Sequence, residues 1–149
     1  MRTNPLPSID VFIDGASQGN PGPAGIGVVI VNGHGAPLAE LSKSIGQATN
    51  NVAEYLALIY ALGLAQQHRL EYVRIKSDSE LLVRQLNGQY KVREAHLRVF
   101  HDIARHLLSG FPQATIEHIP RTDNTRADRL ASQAASAAVR VVTTQRGPR

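Results

Sequence analysis

Cysteine is absent from these 149 residues, tryptophan is absent too, there is one methionine, and aromatic residues make up only 5% of the chain. Without cysteine there is no disulfide, no thiolate nucleophile and no thiolate metal site, so any metal must be held by oxygen or imidazole. Long apolar runs are missing as well. The start, MRTNPLPSID, has no apolar leader-like stretch, and no later run approaches the roughly 18 apolar residues of a membrane span. These absences predict a soluble, cytoplasmic protein that engages no membrane.

Acidic charge is the scarcer sign. Twelve Asp and Glu stand against sixteen Lys and Arg, thirteen of them arginine, for a formal net charge of +4. That balance favours phosphate-bearing partners, although a solvated basic surface produces it equally well. What the chain does have is 42% hydrophobic residues, enough at this length for a real core. One domain over residues 1–149 is expected, acting as a monomer, with its core between about 8 and 137.

The period of the apolar residues changes along the chain. Residues 9–14, 25–31 and 37–46 read as three strands with short glycine-rich joins, an antiparallel meander. Residues 50–68 read as a long helix with Val52, Tyr55, Leu56, Ile59, Leu62 and Gly63 on one stripe. Its opposite side is apolar too, which predicts a central helix. A strand over 71–78, a short helix over 79–88, and a helix over 93–110 with Leu97, Phe100, Ile103, Ala104 and Leu107 on one face come next. A strand over 114–120 and a last helix over 124–138 complete the order. Strands that return through helices lie parallel to a neighbour, so the fold class is α/β with a mixed sheet. Residues 139–149 lack a helical stripe and are expected to form a tail or an added edge strand.

Four acids stand out by position. Asp14 and Asp78 lie at the carboxyl ends of the first and fourth strands, where open α/β sheets bind ligands. Singly, Asp14 also suits an Asx turn and Asp78 a helix cap. Glu54 is the only charge in 51–65, and Asn51-Val52-Ala53-Glu54 also suits a capping box. Asp128 falls in the first turn of the last helix, after a cap at Asn124 or Thr125, where an acid complements the helix dipole. Brought together, four carboxylates would repel and raise one another's pKa unless divalent cations were bound. Hard oxygen ligands in that number suit Mg²⁺ or Mn²⁺, two ions about 4 Å apart forming the clamp used for in-line displacement at phosphorus.

The segments DGASQGNPGPAG, TNNVAEYLALIYAL, SDSELLVRQL and IPRTDNTRADRLA, in this order and spacing over roughly residues 8–137, resemble type 1 ribonucleases H. The resemblance implies a five-stranded mixed sheet flanked by helices and metal-dependent endonucleolytic cutting of the RNA strand of RNA–DNA hybrids. It places the acidic quartet on Asp14, Glu54, Asp78 and Asp128, holding two Mg²⁺, with Mn²⁺ as the substitute. One ion activates the attacking water and the other stabilises the leaving 3′ oxygen, so products carry 5′-phosphate and 3′-hydroxyl ends. It also places Asn20, Asn50 and Asn51 at the RNA 2′-hydroxyls, assisted by the backbone amides of 17–20, and Thr49 at a phosphate of the DNA strand.

Two departures from the family pattern bear on function. The usual loop histidine is missing from PRTDNT, which predicts a phosphate or product role for Arg121, while His118 is expected to be a structural histidine in the last strand. The basic helical insertion of some relatives is replaced by NGQYKVR, so Tyr90, Lys91 and Arg93 are expected to contact the DNA strand in its place. Fewer phosphate contacts imply weaker, less salt-sensitive binding. A non-catalytic hybrid-binding module and a different nuclease on the same scaffold are the competing readings.

Overall fold

The computed structural model describes residues 8–145, with side chains to residue 137. Its elements are β1 (Ile9–Ser17), β2 (Gly22–Val31), β3 (Pro37–Ala48), α1 (Asn50–Gln67), β4 (Tyr72–Ser77), α2 (Glu80–Leu86), α3 (Ala95–Leu108), β5 (Gln113–His118), a 3-10 turn (Arg121–Asp123) and α4 (Thr125–Gln145). The five strands form one sheet in the order β3-β2-β1-β4-β5. β1–β2 and β2–β3 are antiparallel, and β1–β4 and β4–β5 are parallel. The predicted mixed sheet is therefore the observed one.

Alternation along the strands assigns two faces. Val11, Ile13, Ile26, Val28, Ile30 and Ile75 meet Tyr55, Leu58 and Leu62 of α1 in the larger core cluster. Phe12, Val29 and Val31 turn the other way, toward Ala127 and Leu130 of α4. α1 packs on β1 and β2 and also on α3, the central position expected of a helix apolar on both sides.

On the α4 face the backbones come very close. A Cβ at Gly27 would lie 2.2 Å from the Ala127 carbonyl oxygen, and one at Gly25 would lie 2.4 Å from the Ala134 Cβ. Ser42 and Ser44 of β3 donate through Oγ to the carbonyls of Leu130 and Ala134, both at 2.7 Å. Small residues at 127, 131, 134 and 135 let the helix lie on the glycine strip.

Several expectations are corrected. The buried side of α1 is Ala53, Tyr55, Ala57, Leu58, Ala61, Leu62 and Ala65; Val52, Leu56, Ile59 and Gly63 are only half-buried. Alanines face the sheet because they allow close approach, and the bulkier side chains flank them. In α3, Leu97 and Ala104 are buried but Ile103 is 42% exposed, because His101 takes the inward place beside Tyr55. α4 continues through residues 139–145, expected as a tail or edge strand. No Gly or Pro interrupts Thr125–Gln145, and a helix once nucleated gains a hydrogen bond with each added residue. The remainder of that expected tail, 146–149, lies outside the described residues.

Candidate active site

The site begins with strand pairing. Ile13 of β1 lies opposite Ser77 of the parallel β4, which sets Asp14 and Asp78 side by side at the carboxyl ends of the two central strands. β1 runs three residues past Asp14, pairing through Ser17 with Ala24, so Asp14 is a 5% exposed strand residue and no turn former. Asp78 is likewise not the cap of α2. Ser79 is, its Oγ accepting from the Leu82 N–H at 3.2 Å.

Glu54 arrives from α1. That helix is capped by Thr49, whose Oγ1 accepts from the Val52 N–H at 3.2 Å, so the Asn51–Glu54 capping box does not form. Glu54 Oε1 instead accepts the Gly15 N–H of β1 at 3.0 Å. The contact needs a glycine, since a Cβ at residue 15 would lie 2.3 Å from the Ala53 carbonyl carbon. One carboxylate oxygen each from Asp14, Glu54 and Asp78 then lie within 4.8 Å of one another. Asp128, in the first turn of α4, is not a member of that group of three; it acts on Asp14 from the opposite face, where its charge helps raise the Asp14 carboxyl.

Crowding shows in the electrostatics. Burial, then the charge of Asp78, then Asp128 push the Asp14 carboxyl up from 3.8 to about 8, against the Gly15 N–H, which lowers it. Burial, followed by the charges of Asp14 and Asp78, holds Glu54 well above the usual carboxylate range, partly offset by the Gly15 N–H and Arg121. Such a cluster favours protons or a divalent cation in place of free negative charge. Its donors are all hard carboxylate oxygens, the set that suits Mg²⁺ or Mn²⁺ over softer metals.

Sequence reading missed one buried polar residue as part of the site. Asn124, taken as a helix cap, is 1% exposed and donates through Nδ2 to the Ile13 carbonyl at 2.9 Å and to Asp78 Oδ2 at 3.3 Å. It ties β1 to the Asp78 carboxylate, and the available signal was its place four residues before Asp128 in the terminal block.

Around the acids, the expected substrate residues divide. Asn20 Oδ1 accepts the Asn50 N–H at 2.9 Å, and Asn50 Oδ1 accepts the Ser17 N–H at 3.1 Å. These bonds clasp the β1–β2 loop to the start of α1 and leave both Nδ2 groups without a partner among the described residues. Asn51 and Thr49 are half-buried beside them. The amides of 17–20 are less available than expected, because Ser17 N serves Asn50 and Gln18 N donates to the Pro23 carbonyl at 2.7 Å. Arg121 sits in the 3-10 turn, 81% exposed, with Nη2 3.9 Å from Asp128 Oδ1. His118 ends β5 and is exposed, correcting the expectation of a structural histidine: its strand lies at the sheet edge. Tyr90, Lys91 and Arg93 lie on the α2–α3 connector, outside the acidic cluster, and help line a hollow of about 500 Å³.

Comparison with known proteins gives consistent relatives. The family model described as "Reverse transcriptase-like" matches residues 12–134. Over 126 residues the chain is 45% identical to ribonuclease HI of Halobacterium salinarum, covering 85% of this chain and 63% of that protein. The N-terminal ribonuclease H domain of Rv2228c from Mycobacterium tuberculosis superposes with a TM-score of 0.87 at 40% identity, covering 91% of this chain and 99% of that one. LC11 ribonuclease H1, solved in complex with an RNA/DNA hybrid, gives a TM-score of 0.83 at 44% identity, covering 88% and 99% of the two chains. The chain thus spans just under two thirds of the halobacterial protein and 35% of the full mycobacterial one.

Proposed function

The chain belongs to the reverse transcriptase-like, ribonuclease H-like family, and from that premise we propose that it is a metal-dependent endonuclease cutting the RNA strand of RNA–DNA hybrids. The observation that carries this reading is the meeting of Asp14, Glu54 and Asp78 oxygens within 4.8 Å. The similarity to a ribonuclease H1 solved on a hybrid supports the same substrate.

Asp14, Glu54, Asp78 and Asp128 would hold the cations. A bound pair of Mg²⁺ or Mn²⁺ ions would supply a more acidic water and neutralise charge at phosphorus and the leaving 3′ oxygen, giving 5′-phosphate and 3′-hydroxyl ends. The protein's own residues do the rest. Gly15 N–H and Asn124 Nδ2 orient the Glu54 and Asp78 carboxylates before substrate arrives. With their Oδ1 atoms engaged, Asn20 and Asn50 offer Nδ2 donors to 2′-hydroxyls, the group that distinguishes RNA from DNA. Asn51 and Thr49 flank them, and Arg121 meets phosphate or product at the open edge. Tyr90, Lys91 and Arg93 meet the nucleic-acid backbone farther along the duplex.

A strand-labelled digest comparing hybrid, duplex RNA and duplex DNA, with and without Mg²⁺, tests the reading. Cleavage confined to the RNA strand of the hybrid and abolished by EDTA is expected. Turnover that survives chelation, or equal cutting of duplex DNA, overturns it.

A further inference from the structure

The α2–α3 connector is held in an unusual way. All three consecutive carbonyls of Lys91, Val92 and Arg93 are gripped by side chains from the flanking helices. Gln85 Nε2 of α2 donates to Lys91 O at 3.3 Å, while Arg98 of α3 donates through Nε to Val92 O at 2.9 Å and through Nη2 to Arg93 O at 3.4 Å. Gln85 is itself 5% exposed and fixed from behind, its Oε1 accepting the Tyr55 hydroxyl at 2.5 Å and its carbonyl meeting His101 Nε2 at 3.1 Å.

Arg98 makes this choice with carboxylates in helical reach. Glu94 and Asp102 stand four residues away on either side, yet neither forms an ion pair with Arg98 among the described residues; their carboxylates lie 3.6 Å from His96 Nε2 and 3.8 Å from His101 Nδ1. The guanidinium serves two neutral carbonyls instead. Exposure alternates along the backbone it holds: Val92 packs on the core, while Lys91 and Arg93 are exposed. Arg84, 5.4 Å above the exposed Tyr90 ring, is already paired with Glu80 at 2.8 Å, so the free positive charge of this edge is that of Lys91 and Arg93.

We propose that Arg98, with Gln85, is a positioning residue that holds Lys91 and Arg93 as a preformed two-pronged clamp on phosphates of one strand of the hybrid. The proposal rests on the hybrid-nuclease reading above. Preforming the clamp removes the ordering cost that a free connector would incur on binding.

The test measures hybrid affinity by fluorescence anisotropy in EDTA across a salt series, together with kcat and KM in Mg²⁺, for the full chain. Four forms are compared: wild type, Arg98→Ala, Lys91→Ala/Arg93→Ala, and the triple variant. Loss of both prongs should make the log–log salt slope shallower by about two, near 0.9 for each phosphate. Arg98→Ala should raise Kd and KM about tenfold with kcat unchanged, and speed amide exchange at 91–93. Adding Arg98→Ala to the double variant should cost nothing more, because a positioning residue has nothing left to position. Arg98→Lys, which keeps the charge but not the planar fork, should fall near Arg98→Ala.

An unchanged salt slope in the double variant, or an equal Arg98→Ala loss in both backgrounds, overturns the clamp while hybrid cleavage by the wild type stands. A wild type that neither binds nor cuts the hybrid removes the underlying reading, and the clamp with it. Thermal melts of each variant separate a lost fold from a lost clamp.

Discussion

The two faces of the sheet are covered by different physics. On the α1 side, large side chains fill the space: Ile13, Ile26, Val28 and Ile30 interdigitate with Tyr55, Leu58 and Leu62. On the α4 side Phe12, Val29 and Val31 pack on Ala127 and Leu130, but at Gly25 and Gly27 there is almost nothing between the backbones and Ala127, Ala131 and Ala134, and β3 serines reach helix carbonyls. Volume filling gains roughly 1.5–3 kcal/mol for each large apolar side chain buried, and rotamers can absorb small errors. Backbone-to-backbone contact gains less per residue but sets the helix height by hard repulsion. The acidic cluster lies at the carboxyl ends of the central strands: Glu54 comes from the adjustable side and Asp14 and Asp78 from the sheet, while Asp128, on the rigid side, stands outside that group of three.

That contrast can be sharpened by experiment. The largest effect is expected in the acidic cluster. Asp78→Asn should lower turnover on the hybrid by more than about a thousandfold, roughly 4 kcal/mol of barrier, while Tm holds or rises. Unfolding by this variant would mean that the acid is structural.

Next come paired core substitutions, one per face. Gly27→Ala on the rigid face should cost about 3 kcal/mol, because one methyl meets the Ala127 carbonyl. Leu62→Met on the adjustable face should cost under about 1.5 kcal/mol. Urea denaturation of both variants compares them, and equal losses would erase the distinction.

A pH series gives the third effect. The Asp14 carboxyl is raised in the fold to about 8 from an ordinary 3.8, so the folded state holds this proton more tightly than the unfolded chain. The associated stability is fully present below about pH 4 and is lost as pH rises toward 8. Metal-free protein should therefore melt on the order of 5 °C lower at pH 8 than at pH 5. Asp14→Asn should shrink that difference, leaving the share carried by the raised Glu54 carboxyl, and added Mg²⁺ should restore Tm at pH 8.

The smallest effect belongs to the serines. Ser44→Ala removes one bond to the Ala134 carbonyl and should cost about 1 kcal/mol in denaturant melts.

Much of the fold was legible because local physics speaks locally. Glycine-rich joins separated the first three strands, and helical spacing marked α1 and α3. Asp14, Glu54 and Asp78, which the fold brings within 4.8 Å of one another, stood out by position, and so did Asp128, which lies outside that group. Less legible was everything that depended on a partner. The α1 stripe was misplaced because apolar residues occur on every side of that helix, and only the sheet beside it selects the alanines. Ile103 looked like a core residue until His101 took the inward place. Asn124 does stand where a cap was expected, immediately before Thr125, but its bond to the Ile13 carbonyl was not legible because that partner lies 111 residues earlier.

By itself, the sequence determined the element order, the mixed sheet, the exclusion of thiol chemistry and the positions of Asp14, Glu54, Asp78 and Asp128. Each follows from residue type and short-range period, which act over a few residues. Only the tertiary structure decided that Glu54 bonds Gly15 instead of its own helix start, that α4 rests on a glycine strip, and that Arg98 grips the connector. Glu54 had a local option, its own helix start, and a distant one, Gly15 of β1. The distant one prevailed because folding brought it within bonding range while Thr49 met the local need.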